Sequence, residues 1–214
     1  MAIGRHTGSG PPDPAAVHAA RTVSLQSVAW TLVAGSASIA IGVAQGSAVL
    51  TAFGAIGLVD AVGSAALAHH FHHGLRHAAL ADHLERLAHR VVLAGLLAVG
   101  VGAMAAGAVR LAADRATESS ALGTAIAAAS LLVLLVLCRR KRRLATEVGS
   151  PALRSDGFLS GIGAAQASVT LGGAAAASVG LRWADPGAAM VLGAVAVAVG
   201  AWTWRAERAG TATV

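Results

Sequence analysis

Residues 22–59 read TVSLQSVAWTLVAGSASIAIGVAQGSAVLTAFGAIGLV, and between Arg21 and Asp60 the chain carries no Asp, Glu, Lys or Arg. One bilayer crossing takes about 20 apolar residues, so this stretch is long enough for two. Only Gln45-Gly46 interrupts it, which predicts two helices joined in a tight hairpin. The rest of the chain repeats the pattern. Of its 214 residues, 56% are hydrophobic and 12% charged, against about 25% charged in a soluble domain. The expectation is an all-α polytopic membrane protein, a six-transmembrane-helix bundle. Its spans lie near 23–44, 47–68, 90–109, 121–138, 158–181 and 186–204. The apolar mass is mostly Ala, Gly, Val and Leu, and small residues let membrane helices approach closely.

Three parts follow from these limits. Residues 1–22 read as a disordered cytoplasmic tail, 23–204 as the transmembrane domain and 205–214 as a short cytoplasmic tail. The first apolar stretch starts too late and runs too long for a cleaved signal peptide. Two gaps between spans stand out: a His-rich loop at 69–89 and a basic loop at 139–157 that opens with Arg139-Arg140-Lys141-Arg142-Arg143. Gly149, Ser150 and Pro151 predict a helix break in the second. Leu80, Leu84, Leu87 and Val91 recur at helical spacing, so the third helix should begin before its membrane span.

The net charge of +6 reads as membrane topology rather than nucleic-acid binding, because the basic residues fall in the gaps and no basic surface with interleaved aromatics remains. Thirteen Lys and Arg residues, including Arg21, Arg76, Arg90, the 139–143 run, Arg154 and Arg205, fall on one side; Arg110, Arg115 and Arg182 fall on the other. Positive-inside statistics place the first side in the cytoplasm, with both termini there, in a multi-pass protein of the cell (inner) membrane. Trp30, Trp183, Trp202 and Trp204 are candidate interfacial anchors. The single Cys138 reads as a packing thiol.

Asp60 is the most informative residue. It lies inside the second span with no adjacent base. A carboxylate at that depth costs at least about 2.5–3.5 kcal/mol, so it normally faces a polar interior or a water-filled path. There it would bind a cation or carry a proton; a protonated Asp bonded to a neighbouring Ser or Gln is the structural alternative. Beyond it comes His69-His70-Phe71-His72-His73-Gly74-Leu75-Arg76-His77. His69, His73 and His77 are spaced four apart, one face of a helix, and neutral imidazoles so placed suit zinc and similar cations; an interfacial His-rich loop contacting lipid headgroups is the alternative. Asp156 and Asp185, each near the start of a span, read as helix N-caps. Gly161-Ile162-Gly163 and Gly172-Gly173 lack the strand and basic residue of a nucleotide loop and read as helix-packing sites. No nucleophile or metalloprotease motif occurs, so an enzyme is not expected, nor is a permanently bound cofactor.

Taken together, these stretches resemble the transmembrane domain of the cation diffusion facilitator (cation efflux) family over roughly residues 24–204. Gly46-Ser47-Ala48-Val49-Leu50 leading to Leu58-Val59-Asp60 looks like that family's second helix. His69-x-Phe71-x-His73-Gly74 is similar to its His-x-Phe-Gly-His-Gly loop, and Ala152-Leu153-Arg154-Ser155-Asp156-Gly157 with Trp183-Ala184-Asp185-Pro186 looks like its fifth-helix entry and sixth-helix start. The resemblance implies a homodimeric, six-helix transporter in the lipid bilayer, exporting a divalent cation such as zinc against protons. It also marks four ligand positions, which fall here on Ile56, Asp60, Leu159 and Gly163; only Asp60 can ligate. The family's Lys and Glu after the loop fall on Leu75 and His77, and its cytoplasmic metal-binding domain is not expected in a chain with so short a tail. Two readings stand side by side: a divergent cation transporter with Asp60 in the path and His69, His73 and His77 as metal ligands, or a non-transporting subunit or metal-sensing partner with a degenerate intramembrane site.

Overall fold

The computed structural model describes residues 14–73, 78–113 and 121–211. Among these residues the chain is an all-α bundle of six helices: α1 (Pro14–Ala44), α2 (Ala48–His73), α3 (Ala78–Ala112), α4 (Ala121–Glu147), α5 (Pro151–Ser178) and α6 (Ala184–Thr211). The α1–α2, α4–α5 and α5–α6 turns share one local device. Gly46, Gly149 and Gly180 have positive φ (65°, 65° and 91°), and the next residue's N–H reaches back across the helix end: Ser47 to Gly42 O, Ser150 to Ala145 O and Leu181 to Ala176 O. This is the Schellman closure, which a Cβ would strain at the glycine. Ser150 then caps α5 by accepting from Leu153 N, with Pro151 in the first turn.

Neighbouring helices run antiparallel and pack through glycine. On α1–α2, Gly35 meets Gly54 and Gly42 meets Thr51; on α3–α6, Gly100 meets Gly193 and Gly107 meets Met190; on α4–α5, Gly157 meets Lys141 and Gly163 meets Leu134. A Cβ on Gly54 would sit 2.5 Å from Gly35 O, and one on Gly193 2.5 Å from Gly100 O. Close backbone approach through small residues is how helices associate where lipid supplies little hydrophobic drive.

The distribution of polarity is the reverse of a soluble domain. Val33, Val43, Val101, Val109 and Leu132 are exposed, while Ser24, Ser27, Ser38, Ser64, Ser130, Lys141 and Asp156 are buried. Apolar surface facing outward is consistent with contact to a lipid bilayer. Among the described residues, five helices are long and apolar enough to cross a membrane, in the segments Ala15–Ala44, Ala48–Ala66, Val92–Ala112, Ala121–Glu147 and Ala184–Arg205. The expected span at 158–181 is the exception: α5 is as long as its neighbours but carries Asp156, Ser160, Gln166, Ser168 and Thr170. It packs against α4, α6 and α2, and its buried Asp156, Ser160, Gln166 and Thr170 look into the bundle.

Two boundaries also differ from expectation, the first being that α1 begins at Pro14, inside the stretch 1–22 expected as a disordered tail. The basic run 139–143, expected in a loop, continues α4 for two more turns, and the loop shrinks to 148–150. The third helix does begin well before its apolar segment, at Ala78.

Candidate functional site

The extension of α4 has a direct consequence. Buried residues on α4 recur as Gly123, Ala127, Ser130, Leu134, Leu137, Lys141 and Ala145, a stripe at helical spacing. Carrying the helix through the basic run places Lys141 on that inward stripe, while Arg139, Arg140, Arg142 and Arg143 stay exposed. Lys141 is 0% exposed, and its Nζ lies 2.7 Å from Asp156 Oδ2. It also donates to Ser27 Oγ (2.8 Å), Ser160 Oγ (3.0 Å) and, at 3.5 Å, Ser64 Oγ. Ser64 in turn donates to Asp156 Oδ1 at 2.7 Å. Four helices, α1, α2, α4 and α5, thus meet at one buried ion pair. A buried pair is tolerated only where further hydrogen bonds satisfy its remaining donors and lone pairs, and the three serines supply them. Gly157, whose Cβ would meet Lys141 Cβ at 3.1 Å, leaves the room for the lysine to turn inward.

Asp156 is therefore not an N-cap, as its position near the span's start had implied; Ser150 holds that role, and Asp156, a turn further in, is the lysine's counter-ion. Asp185 also departs from expectation. It lies in the first turn of α6 but caps α2: its Oδ1 accepts from Ala48 N at 2.8 Å and its Oδ2 from Ser47 Oγ at 2.6 Å, while Ser47 Oγ accepts from Leu50 N. Beside it, Arg110 Nη1 donates to Gly46 O. This end of the bundle is locked by an aspartate and an arginine from α6 and α3.

Between the two ends lies a cavity of about 50 Å³. Since a water needs roughly 10–15 Å³ on this measure, it has room for a few waters or one ion with part of its shell. Asp60 lines it, with Thr31 from α1, Ser130 from α4 and Gln166 from α5, so each of four helices brings one oxygen-bearing side chain. Ile56, Leu159 and Gly163, the three positions where the family resemblance marked absent ligands, line the same cavity. The rest of its wall is apolar or aromatic, including Phe53, Leu96 and Leu134. Asp60 has no ion-pair partner among the described residues, and both Lys141 and Asp156 act on it electrostatically.

The cavity and the ion pair are adjacent. Asp60 precedes Ser64 by one turn of α2, and Thr31 follows Ser27 by one turn of α1, a separation of about 6 Å along each axis. Among the described residues, two buried groups that line the cavity with Asp60 lack hydrogen-bond partners: Ser130 Oγ and Trp30 Nε1. Trp30, expected as an interfacial anchor, lines the cavity instead, whereas Trp183, Trp202 and Trp204 are exposed. An unsatisfied buried donor costs about 1–3 kcal/mol, so these atoms mark the cavity as a place built for polar contents.

The histidines fall outside this geometry. His69 and His73 end α2, but their side chains lie outside the described residues, and so does the whole of His77. Among the described residues no group of three or more His, Cys, Asp and Glu is arranged to hold a metal ion. Cys138 is free and would meet a Cβ on Gly161 at 3.3 Å, the packing environment expected of it.

Fold and site together define a class: a multi-pass-type helical bundle, apolar outside, with a charged and hydroxyl-lined interior. No protein-family model matches the chain, and no curated protein matches it.

Proposed function

We propose that the protein is a cation transporter of the cation-efflux type, in which a cation or a coupled proton occupies Asp60. One observation carries this reading: the intramembrane carboxylate opens on a cavity inside the bundle, beside unpartnered polar groups, rather than on the apolar exterior. A carboxylate kept at that depth, at a cost of at least about 2.5–3.5 kcal/mol, is explained by an ion that needs it. In this reading all six helices span the cell membrane, with both termini and the Lys141–Asp156 end in the cytoplasm, the orientation that the distribution of Lys and Arg favours. Helices rocking about the midplane site would expose Asp60 to either side in turn. Purified protein in proteoliposomes should move cations or protons saturably, and Asp60→Asn should abolish that flux; unchanged flux in the variant sinks the mechanism.

A second reading has its own support. Ile56, Leu159 and Gly163 surround Asp60 with groups that ligate nothing, which fits a non-transporting membrane subunit or metal-sensing partner. That reading expects metal binding lost with His69→Ala and His73→Ala but no flux in any gradient.

A further inference from the structure

Resting on the assignment of Asp60 as the cation site, but departing from the divalent cargo that the family resemblance implies, we infer that the site takes a single monovalent alkali-type cation, held through oxygen, and rejects divalent metals. The first argument is a count of charge. Lys141 and Asp156 cancel one another in contact, which leaves Asp60 as the one uncompensated charge among the described groups lining the cavity. A monovalent ion makes the interior neutral. A divalent ion would leave a net positive charge in surroundings of low dielectric, one turn from the Lys141 ammonium, and both its desolvation and that repulsion grow with its charge. Asp156 adds no net charge toward a second unit of cation charge, because it is paired with Lys141 through one oxygen while Ser64 donates to the other.

The second argument is donor chemistry. Thr31, Asp60, Ser130 and Gln166 offer oxygen, and no thiolate or imidazole among the described residues lines the cavity; zinc selects those softer ligands in tetrahedral sets. Magnesium gives up its octahedral water shell reluctantly, and a single uncompensated carboxylate offers it too little in exchange. A weakly hydrated monovalent ion needs only the carboxylate, the Ser130 hydroxyl and a water or two. The orphaned Trp30 N–H is a donor, so it would bond to such a water rather than to the ion.

Calorimetric titration of the full chain in detergent with lithium, sodium, potassium, magnesium and zinc chlorides tests this, each repeated on Asp60→Asn so that metal held by the histidine segment is separated. At least one alkali ion should bind one-to-one, and Asp60→Asn should weaken it by at least about 30-fold, as removal of one partner from a buried charge pair does. The charge count is tested in both directions. Asp156→Asn, which leaves Lys141 to neutralise Asp60, should abolish alkali binding; Lys141→Met, which leaves two acids, should admit magnesium. The double variant Lys141→Met/Asp156→Leu restores the net charge and should restore alkali selectivity, whichever single variant fails to fold. Asp60-dependent binding of zinc or magnesium by the wild type, or no Asp60-dependent alkali binding, overturns the inference. Alkali binding without flux in proteoliposomes would leave it standing and overturn transport instead.

Discussion

Lys141 and Asp156, on different helices and fifteen positions apart in sequence, bury a 2.7 Å ion pair that also gathers Ser27, Ser64 and Ser160. Removing one partner from such a pair strands a charge and costs about 3–5 kcal/mol, whereas replacing both with apolar residues is often neutral. Lys141→Met and Asp156→Leu should each lower the thermal unfolding midpoint in detergent sharply. The double variant should recover most of the loss, a non-additivity that identifies the pair.

Asp60→Asn should behave oppositely. The residue has no ion-pair partner among the described residues, so the neutral amide removes a desolvation cost without breaking a bridge. Unfolding midpoints equal to or above wild type, together with lost flux, are the expected result; a fall as large as that of Lys141→Met would make Asp60 structural.

The α3–α6 seam depends on two glycines facing one another. A Cβ on Gly193 would meet Gly100 O and Met104, so Gly193→Leu should cost about 1–3 kcal/mol or more through overpacking. Gly102, on the same α3, has nothing within 4 Å of the place a Cβ would take, and Gly102→Ala should be neutral or stabilise by up to about 1 kcal/mol. Retained stability in the first variant would show that the seam is looser than its geometry.

Asp185 serves α2 rather than its own helix, so Asp185→Ala should expose Ala48 N and Ser47 Oγ and destabilise the bundle by about 1–2 kcal/mol. Hydrogen exchange should report the loss at residues 48–50 of α2, not at the start of α6.

The apolar tracts determined most of the architecture. Where a charge-free run exceeds the thickness of a bilayer, only a helix satisfies its backbone internally, so the hairpin at Gln45-Gly46, the break at Gly149–Pro151 and the outward apolar faces were legible residue by residue. Asp60 was legible too, because an acid in such a run is costly wherever it points. Lys141 was hidden by its neighbours: within Arg139–Arg143 it looks like one more loop charge. The signal was the spacing from Ser130 through Leu134 and Leu137, which reaches Lys141 only if the helix is carried past the apolar tract.

What the tertiary structure alone decided is partnership. Whether Asp156 caps α5 or neutralises Lys141, whether Asp185 serves α6 or α2, and whether Trp30 faces lipid or Asp60 depend on which helices lie side by side. Helix formation is set by hydrogen bonds four residues apart. The assignment of buried charges is set by contacts between segments distant in sequence, and no local pattern encodes those.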